Sequence, residues 1–204
     1  SDGYFYAKCS ENANADNYKY SDETSVANNE ENSEKFFKVE PIVWQLITEN
    51  YNNSEKKLLL TENALIANIL YYDNNQTRTL NETTINPNNY KYSNIRAYLN
   101  GIQNQFVADG GTATEFDIDW TGRGFLQTAF TTNAQNSIEQ TTIINKDNAG
   151  NDYDSTNDKI FLLSLEEATN SEFGFEDSSV EDKARLKTTT DYAKANHAFY
   201  NVNG

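Results

Sequence analysis

Three groupings of side chains are of the kind that bind metals or move protons. The first is Asp147-Asn148-Ala149-Gly150-Asn151-Asp152-Tyr153-Asp154. Oxygen-bearing side chains alternate there around a glycine, which suits calcium, a hard cation that collects several oxygen ligands. Asp147, Asp152 and Asp154 would supply the charge. The run lacks the bidentate Glu that closes an EF-hand loop, so its plain reading is a solvated turn. The second grouping is Glu115, Asp117 and Asp119 beside Trp120. Two carboxylates can share the acid and base work of glycoside hydrolysis, and an indole can stack on a sugar. No spacing singles out one pair, and an acidic loop pinned to the core by Trp120 has the same sequence. The third is Cys9 with His197, the only cysteine and the only histidine of the chain. One of each is too few for a zinc site. A thiolate–imidazole nucleophile would need the two to meet, and Cys9 lies in an unanchored N-terminal segment with no charged partner set by the sequence. His197 reads as a surface residue of the last helix.

Other signals are weaker. Thr121-Gly122-Arg123-Gly124 has two glycines but no phosphate-loop lysine, and reads as a tight turn before Phe125 and Leu126. Asn52-Asn53-Ser54, Asn75-Gln76-Thr77 and Asn81-Glu82-Thr83 match the glycosylation pattern, as chance provides in so Asn-rich a chain.

The elements that must hold these groups mix strands and helices. Tyr4-Phe5-Tyr6 predicts a short aromatic strand, and the polar stretch from residue 10 to 34 a long loop or partly disordered excursion. Residues 36–47 alternate well enough for a strand pair bent near Pro41. An Asn-rich turn at 51–54 leads to Lys57-Leu58-Leu59-Leu60-Thr61, which reads as a buried strand. Ser93 is a good N-cap for a helix carrying Ile95, Tyr98, Leu99 and Ile102, with Gly110-Gly111 as its break. A second helix is expected over 131–138, capped by one of two threonines. Lys159-Ile160-Phe161-Leu162-Leu163-Ser164 predicts another buried strand, followed by a short helix where Ser164 and Glu167 have capping-box spacing. A last helix is expected over 190–200. No regular βαβ rhythm appears, so the fold class is α+β rather than α/β. Trp44, Ile95, Leu99, Phe130, Phe161 and Leu163 are the expected centre of one core.

Composition bounds the partners. Thirty-one acidic residues against 16 basic ones give a net charge of −15, which repels nucleic acid and anionic lipid. Only 37% of residues are hydrophobic, so 13 Tyr, 11 Phe and 2 Trp must carry much of the core. No apolar run approaches the length of a membrane span, and no hydrophobic leader is visible.

Several motifs occur in an order that resembles a known family. They are Phe37-Lys38-Val39-Glu40-Pro41-Ile42-Val43-Trp44, the run Asn88-Asn89-Tyr90-Lys91-Tyr92-Ser93-Asn94-Ile95-Arg96-Ala97-Tyr98-Leu99-Asn100, and Gly124-Phe125-Leu126-Gln127-Thr128-Ala129-Phe130. Thr141-Thr142-Ile143, Asn157-Asp158-Lys159-Ile160-Phe161-Leu162-Leu163-Ser164 and Thr190-Asp191-Tyr192-Ala193-Lys194-Ala195 follow. The set resembles a bacterial domain family of unknown function met in exported and surface proteins of Firmicutes and spirochaetes. It is nearest to the variable proteins of diversity-generating retroelements in treponemes. The resemblance implies a single domain over 1–204 with a C-type-lectin-like fold of the formylglycine-generating-enzyme type, without that enzyme's activity. It also implies a non-catalytic, monomeric scaffold on the cell surface, outside the cytoplasm, that binds a protein or glycan ligand. In such proteins the ligand is met mainly by a C-terminal variable segment, which would follow Gly204, so no variable-site residue is carried over. Beyond the calcium candidate no cofactor is expected. An extracellular carbohydrate hydrolase working through Asp117 or Asp119, and a structural module of a surface assembly, are the alternatives.

Overall fold

A computed structural model describes residues 2–12, 18–27, 33–71, 76–146, 150–177 and 182–198. Among the described residues the strands are β1 (Tyr6–Ser10), β2 (Glu34–Lys38), β3 (Trp44–Tyr51), β4 (Lys56–Thr61), β5 (Arg78–Leu80), β6 (Thr83–Ile85), β7 (Thr141–Lys146) and β8 (Asp152–Asp158). The helices are α1 (Asn94–Asn100), α2 (Gln105–Ala108), α3 (Phe125–Ala129), α4 (Thr132–Ser137), α5 (Leu165–Ala168) and α6 (Asp191–Ala195). Successive strands pair antiparallel into two-stranded sheets, β1 with β2 through to β7 with β8, so the class is α+β. The chain divides into two compact units, residues 1–68 with 165–204, and residues 69–164.

In the first unit, alternation along β1 turns Cys9 inward against Tyr18, Tyr20, Val26 and Ala195. Phe37 of β2 and Tyr192 pack on this cluster, with ring centroids 5.7 Å (Tyr20–Phe37) and 5.9 Å (Phe37–Tyr192) apart. Ala193 and Ala195 are fully buried, and α6 meets the cluster through Ala195 together with the ring of Tyr192. The polar excursion is therefore not merely a loop: within the described residues 18–27 it contributes Tyr18, Tyr20 and Val26 to the core. Glu11 ties it down by accepting from Tyr20 Oη at 2.5 Å and from Ser33 Oγ. Ser21 donates to Asp191 of α6 through its amide (2.9 Å) and hydroxyl (2.5 Å). The aromatic start forms a strand only from Tyr6, and Phe5 is exposed. Two strands do flank Pro41, but each pairs elsewhere, β2 with β1 and β3 with β4. Asn52, Asn53 and Glu55 turn the β3–β4 hairpin at φ 53°, 53° and 57°, a left-handed region that Asn tolerates better than most residues. In β4 only Leu58 is buried and Leu59 is exposed, so this is a half-buried strand.

The second unit starts its helical part as the sequence predicts. Ser93 takes an extended conformation and its Oγ accepts the Arg96 amide at 3.2 Å, capping α1. The helix stops at Gly101 (φ 61°), well before Gly110-Gly111, and α2 follows with Asn104 as its cap. Gly124 lies against α1: a Cβ there would come within 2.3 Å of the Tyr98 carbonyl oxygen and 2.4 Å of Gly101 Cα, so only glycine permits the approach of α3. Thr131 caps α4 and Thr190 caps α6, each through its hydroxyl. Residues 159–164 form no strand, although they are apolar; the Asn100 side chain takes the Lys159 and Ile160 backbone groups instead.

The expected core is not the observed one. Trp44, Ile95, Leu99, Phe130, Phe161 and Leu163 are all half-buried, and Trp44 belongs to a different unit from the rest. The buried apolar cluster of the second unit is Leu80, Ile85, Tyr92 and Phe106. Beside it, the most deeply buried large side chains are polar: Asn89, Asn104, Asp158 and Ser93. No helix among the described residues is long and apolar enough to cross a membrane.

Candidate functional site: a polar hub beneath an open cleft

The second unit is organised around hydrogen bonds that link the run 88–104 to β8 and the segment after it. Arg96 projects from α1 and its Nε donates to both oxygens of Asp158 at 3.0 Å. Its Nη2 lies 3.0 Å from Asp158 Oδ1, and Nη1 donates to the Lys91 carbonyl at 3.2 Å. The two side chains are 8% and 1% exposed, which makes this a buried ion pair with its geometry satisfied. Asn100, one turn on, donates to the Ile160 carbonyl (2.9 Å) and accepts from the Lys159 (3.0 Å) and Ile160 (3.3 Å) amides. A single primary amide thus takes three backbone groups at the start of this apolar segment. Asn104 caps α2 by accepting from Phe106 (2.9 Å) and donates to the Tyr92 carbonyl (3.2 Å). Asn89 accepts from the Lys91 amide (3.0 Å) and donates to Asp154 Oδ2 (3.2 Å).

Above the hub lies an open cleft of about 290 Å³, lined by Lys91, Arg96, Gln105, Asp109, Ser155, Thr156 and Asn157. Lys91 Nζ stands between Asp154 (3.5 Å) and Asp109 (3.9 Å). Burial lowers the Lys91 pKa, but Tyr92 and the charges of Asp154 and Asp109 outweigh it and hold the ammonium above its ordinary value. Burial, then the charge of Asp158, pushes the neighbouring Tyr90 phenol up, so it stays neutral. Thr156 is 5% exposed and its hydroxyl has no hydrogen-bond partner among the described residues. Leaving such a group unpaired costs about 1–3 kcal/mol.

Of the described groups singled out in the sequence, Asp154 alone reaches the hub, and the others fall elsewhere. Asp147 lies outside the described residues. Asp152 is exposed at the start of β8, while Asp154, beyond a register irregularity, is engaged by Asn89 and Lys91. Among the described residues no three His, Cys, Asp or Glu side chains gather as a metal site. Asp117 accepts from Arg78 Nη1 at 2.9 and 2.8 Å and from the Thr114 amide at 2.9 Å, a buried structural pair. Asp119 is exposed, and hydrogen bonds from the Thr121 hydroxyl and amide hold its carboxyl below the ordinary value. Glu115 is exposed. Trp120 packs edge-on to Tyr98 at 4.9 Å, anchoring the loop as its plain reading has it. Cys9 is not in an unanchored segment but in the core of the first unit, where burial and then the Glu11 charge push its thiol up. His197 is exposed just after α6, at φ 64°.

The hub residues Arg96, Asn100, Asn104 and Asp158 carry no motif of known chemistry. Two of the ordered motifs contain three of them, but Arg96 and Asp158 are 62 residues apart, and no periodicity joins them.

An α+β protein with a polar hub and an open, polar cleft is the class that the geometry defines. The chain belongs to a family whose model, Domain of unknown function (DUF6273), matches residues 53–202, a span that includes the hub and the cleft. Comparison with curated proteins and with solved structures gives no match.

Proposed function

We propose that the chain is a non-catalytic scaffold that presents a binding surface to a protein or glycan ligand outside the cytoplasm. The observation that carries it is the arrangement of the second unit: a cleft open to solvent rests on a hub whose charges and amides are committed to one another. Such a hub fixes the position of surface groups, which is what preorganised recognition needs. The carboxylates expected to do acid–base work instead have separate partners, Asp117 with Arg78 and Asp119 with Thr121. The ordered motifs add support, because they resemble the variable proteins of diversity-generating retroelements and, through them, a C-type-lectin-like display fold at the cell surface. A screen of the folded chain against arrays of extracellular proteins and glycans tests it. Saturable binding to a member of either array is the expected result. A folded sample that binds neither array at micromolar protein removes the basis for the proposal.

A further inference from the structure

We infer that the free edge of β2 is a self-association surface, where two copies of this chain pair antiparallel about a two-fold axis at Phe36. The backbone comes first. The Val39 amide donates to the Phe5 carbonyl at 2.9 Å, and the Glu11 amide to the Ser33 carbonyl at 2.8 Å. Odd-numbered residues of β2 therefore face β1, and the amides and carbonyls of Glu34, Phe36 and Lys38 face away from it. Among the described residues no other strand takes them. The three side chains are exposed, Phe36 by 60%. An edge of this kind is a template for a further strand.

The residues of this edge then name the strand that fits it. When Glu34-Lys35-Phe36-Phe37-Lys38 meets a reversed copy of itself, Phe36 faces Phe36, Glu34 faces Lys38 and Lys38 faces Glu34, all on the exposed face. Opposite charges and paired rings directly across are what stabilise antiparallel neighbours. The two Phe36 residues exchange both of their outward backbone hydrogen bonds at the axis. Glu34 already holds Lys8, and the Lys38 ammonium lies 3.5 Å from the centre of the Tyr4 ring, so both charges stand ready on that face. Sliding the register by two residues sets Glu34 against Glu40 of the second copy, or against its Phe36, and loses the match. The free edge of β1 fits no better. Centred on Lys8 it sets lysine against lysine, and beyond Ser10 the Asn12 amide already donates to the Ala195 carbonyl at 2.8 Å. Overall charge points to the same place. At −15 two copies repel over most of their surface, but β1 and β2 together hold three lysines and one glutamate. One short strand and one ring pair make a small contact, so the dimer is a weak one. This two-chain state differs from the monomer that the motif resemblance implies.

The test is sedimentation velocity and amide hydrogen exchange on the full chain, from micromolar to millimolar protein. A monomer–dimer equilibrium is expected, with exchange of the Phe36 amide slowing as concentration rises and that of Lys8 unchanged. Phe36→Pro removes the outward amide and leaves the β1–β2 bonds in place, so it should weaken the dimer about tenfold with the circular-dichroism spectrum of the parent. Glu34→Lys and Lys38→Glu each set like charges opposite, and each should weaken self-association about tenfold. Mixed in equal amounts, these two charge variants should pair with each other, because lysines at 34 and 38 of one copy meet glutamates at 38 and 34 of the other. A chain that stays monomeric at millimolar protein overturns the inference. So does a Phe36→Pro variant that dimerises like the parent, or a pair of charge variants with no preference for each other. If Phe36→Pro loses the parent's spectrum, the charge variants decide alone. None of these outcomes touches ligand binding, so the scaffold reading stands or falls separately in the array screen.

Discussion

Asp158→Asn removes the negative charge that faces Arg96 and leaves nearly all else in place. The guanidinium then keeps an 8% exposed position with its bond to the Lys91 carbonyl but without a counter-charge. Three nitrogen–oxygen contacts of 3.0 Å are lost or weakened, because the new amide NH₂ points donors at donors. Breaking one side of a buried pair costs about 3–5 kcal/mol. For a chain of this length that lowers Tm by roughly 10 °C. The double variant Arg96→Met with Asp158→Leu takes away both charges and should melt well above either single variant, since replacing a buried pair by apolar groups is often close to neutral. Thermal melts followed by circular dichroism, completed as a double-mutant cycle, measure the coupling, expected at about 2 kcal/mol or more. A Tm for Asp158→Asn within about 2 °C of the parent would refute the reasoning. So would a double variant whose loss equals the sum of the two single losses.

Asn100→Ala should destabilise by about 2–4 kcal/mol, since it strands the Lys159 and Ile160 amides and the Ile160 carbonyl together; hydrogen exchange should accelerate at 159 and 160 before it does in α6. In the first unit, burial pushes the Glu11 and Asp191 carboxyls up, but the hydrogen bonds of Ser33, Tyr20 and the Ala27 amide to Glu11, and of Ser21 and Lys194 to Asp191, hold both below their ordinary values. Lowered carboxylates stabilise the folded state above the ordinary carboxylate range, and that contribution is lost as pH falls through the lowered values. The urea midpoint should therefore drop on acidification, and Glu11→Gln should flatten that drop. Cys9, buried with its thiol pushed up, should react with a disulfide reagent far more slowly in buffer at pH 8 than in urea; equal rates would place it at the surface.

Local signals were legible in the sequence because they act over a single turn. Ser93, Thr131 and Thr190 cap helices as their residue types predict, and the asparagines of 52–53 turn a hairpin. The class, α+β, followed from the mixture of such signals. What failed was the inference that an apolar run must be buried in a sheet: Lys56–Thr61 is a strand but only half-buried, and residues 159–164 form none. In a chain with so little apolar side chain, the backbone of Lys159 and Ile160 is taken by one asparagine rather than by a sheet, and no hydropathy pattern reports that. Tyr18, Tyr20 and Ala195 fill the core of the first unit, where Trp44 alone was expected, because tyrosines in a polar stretch look like surface. The hub was invisible for a different reason. Its asparagines resemble the Asn-rich background, and its one ion pair closes across 62 residues.

The most direct measurement of the central claim is saturation-transfer NMR on the folded chain with a panel of neutral oligosaccharides and peptides, recorded at once and after prolonged incubation. A binding scaffold transfers saturation to at least one ligand whose spectrum is the same at the end as at the start. Transfer to none of them, or new signals from a cleaved product that Asp117→Asn or Asp119→Asn abolishes, would contradict it.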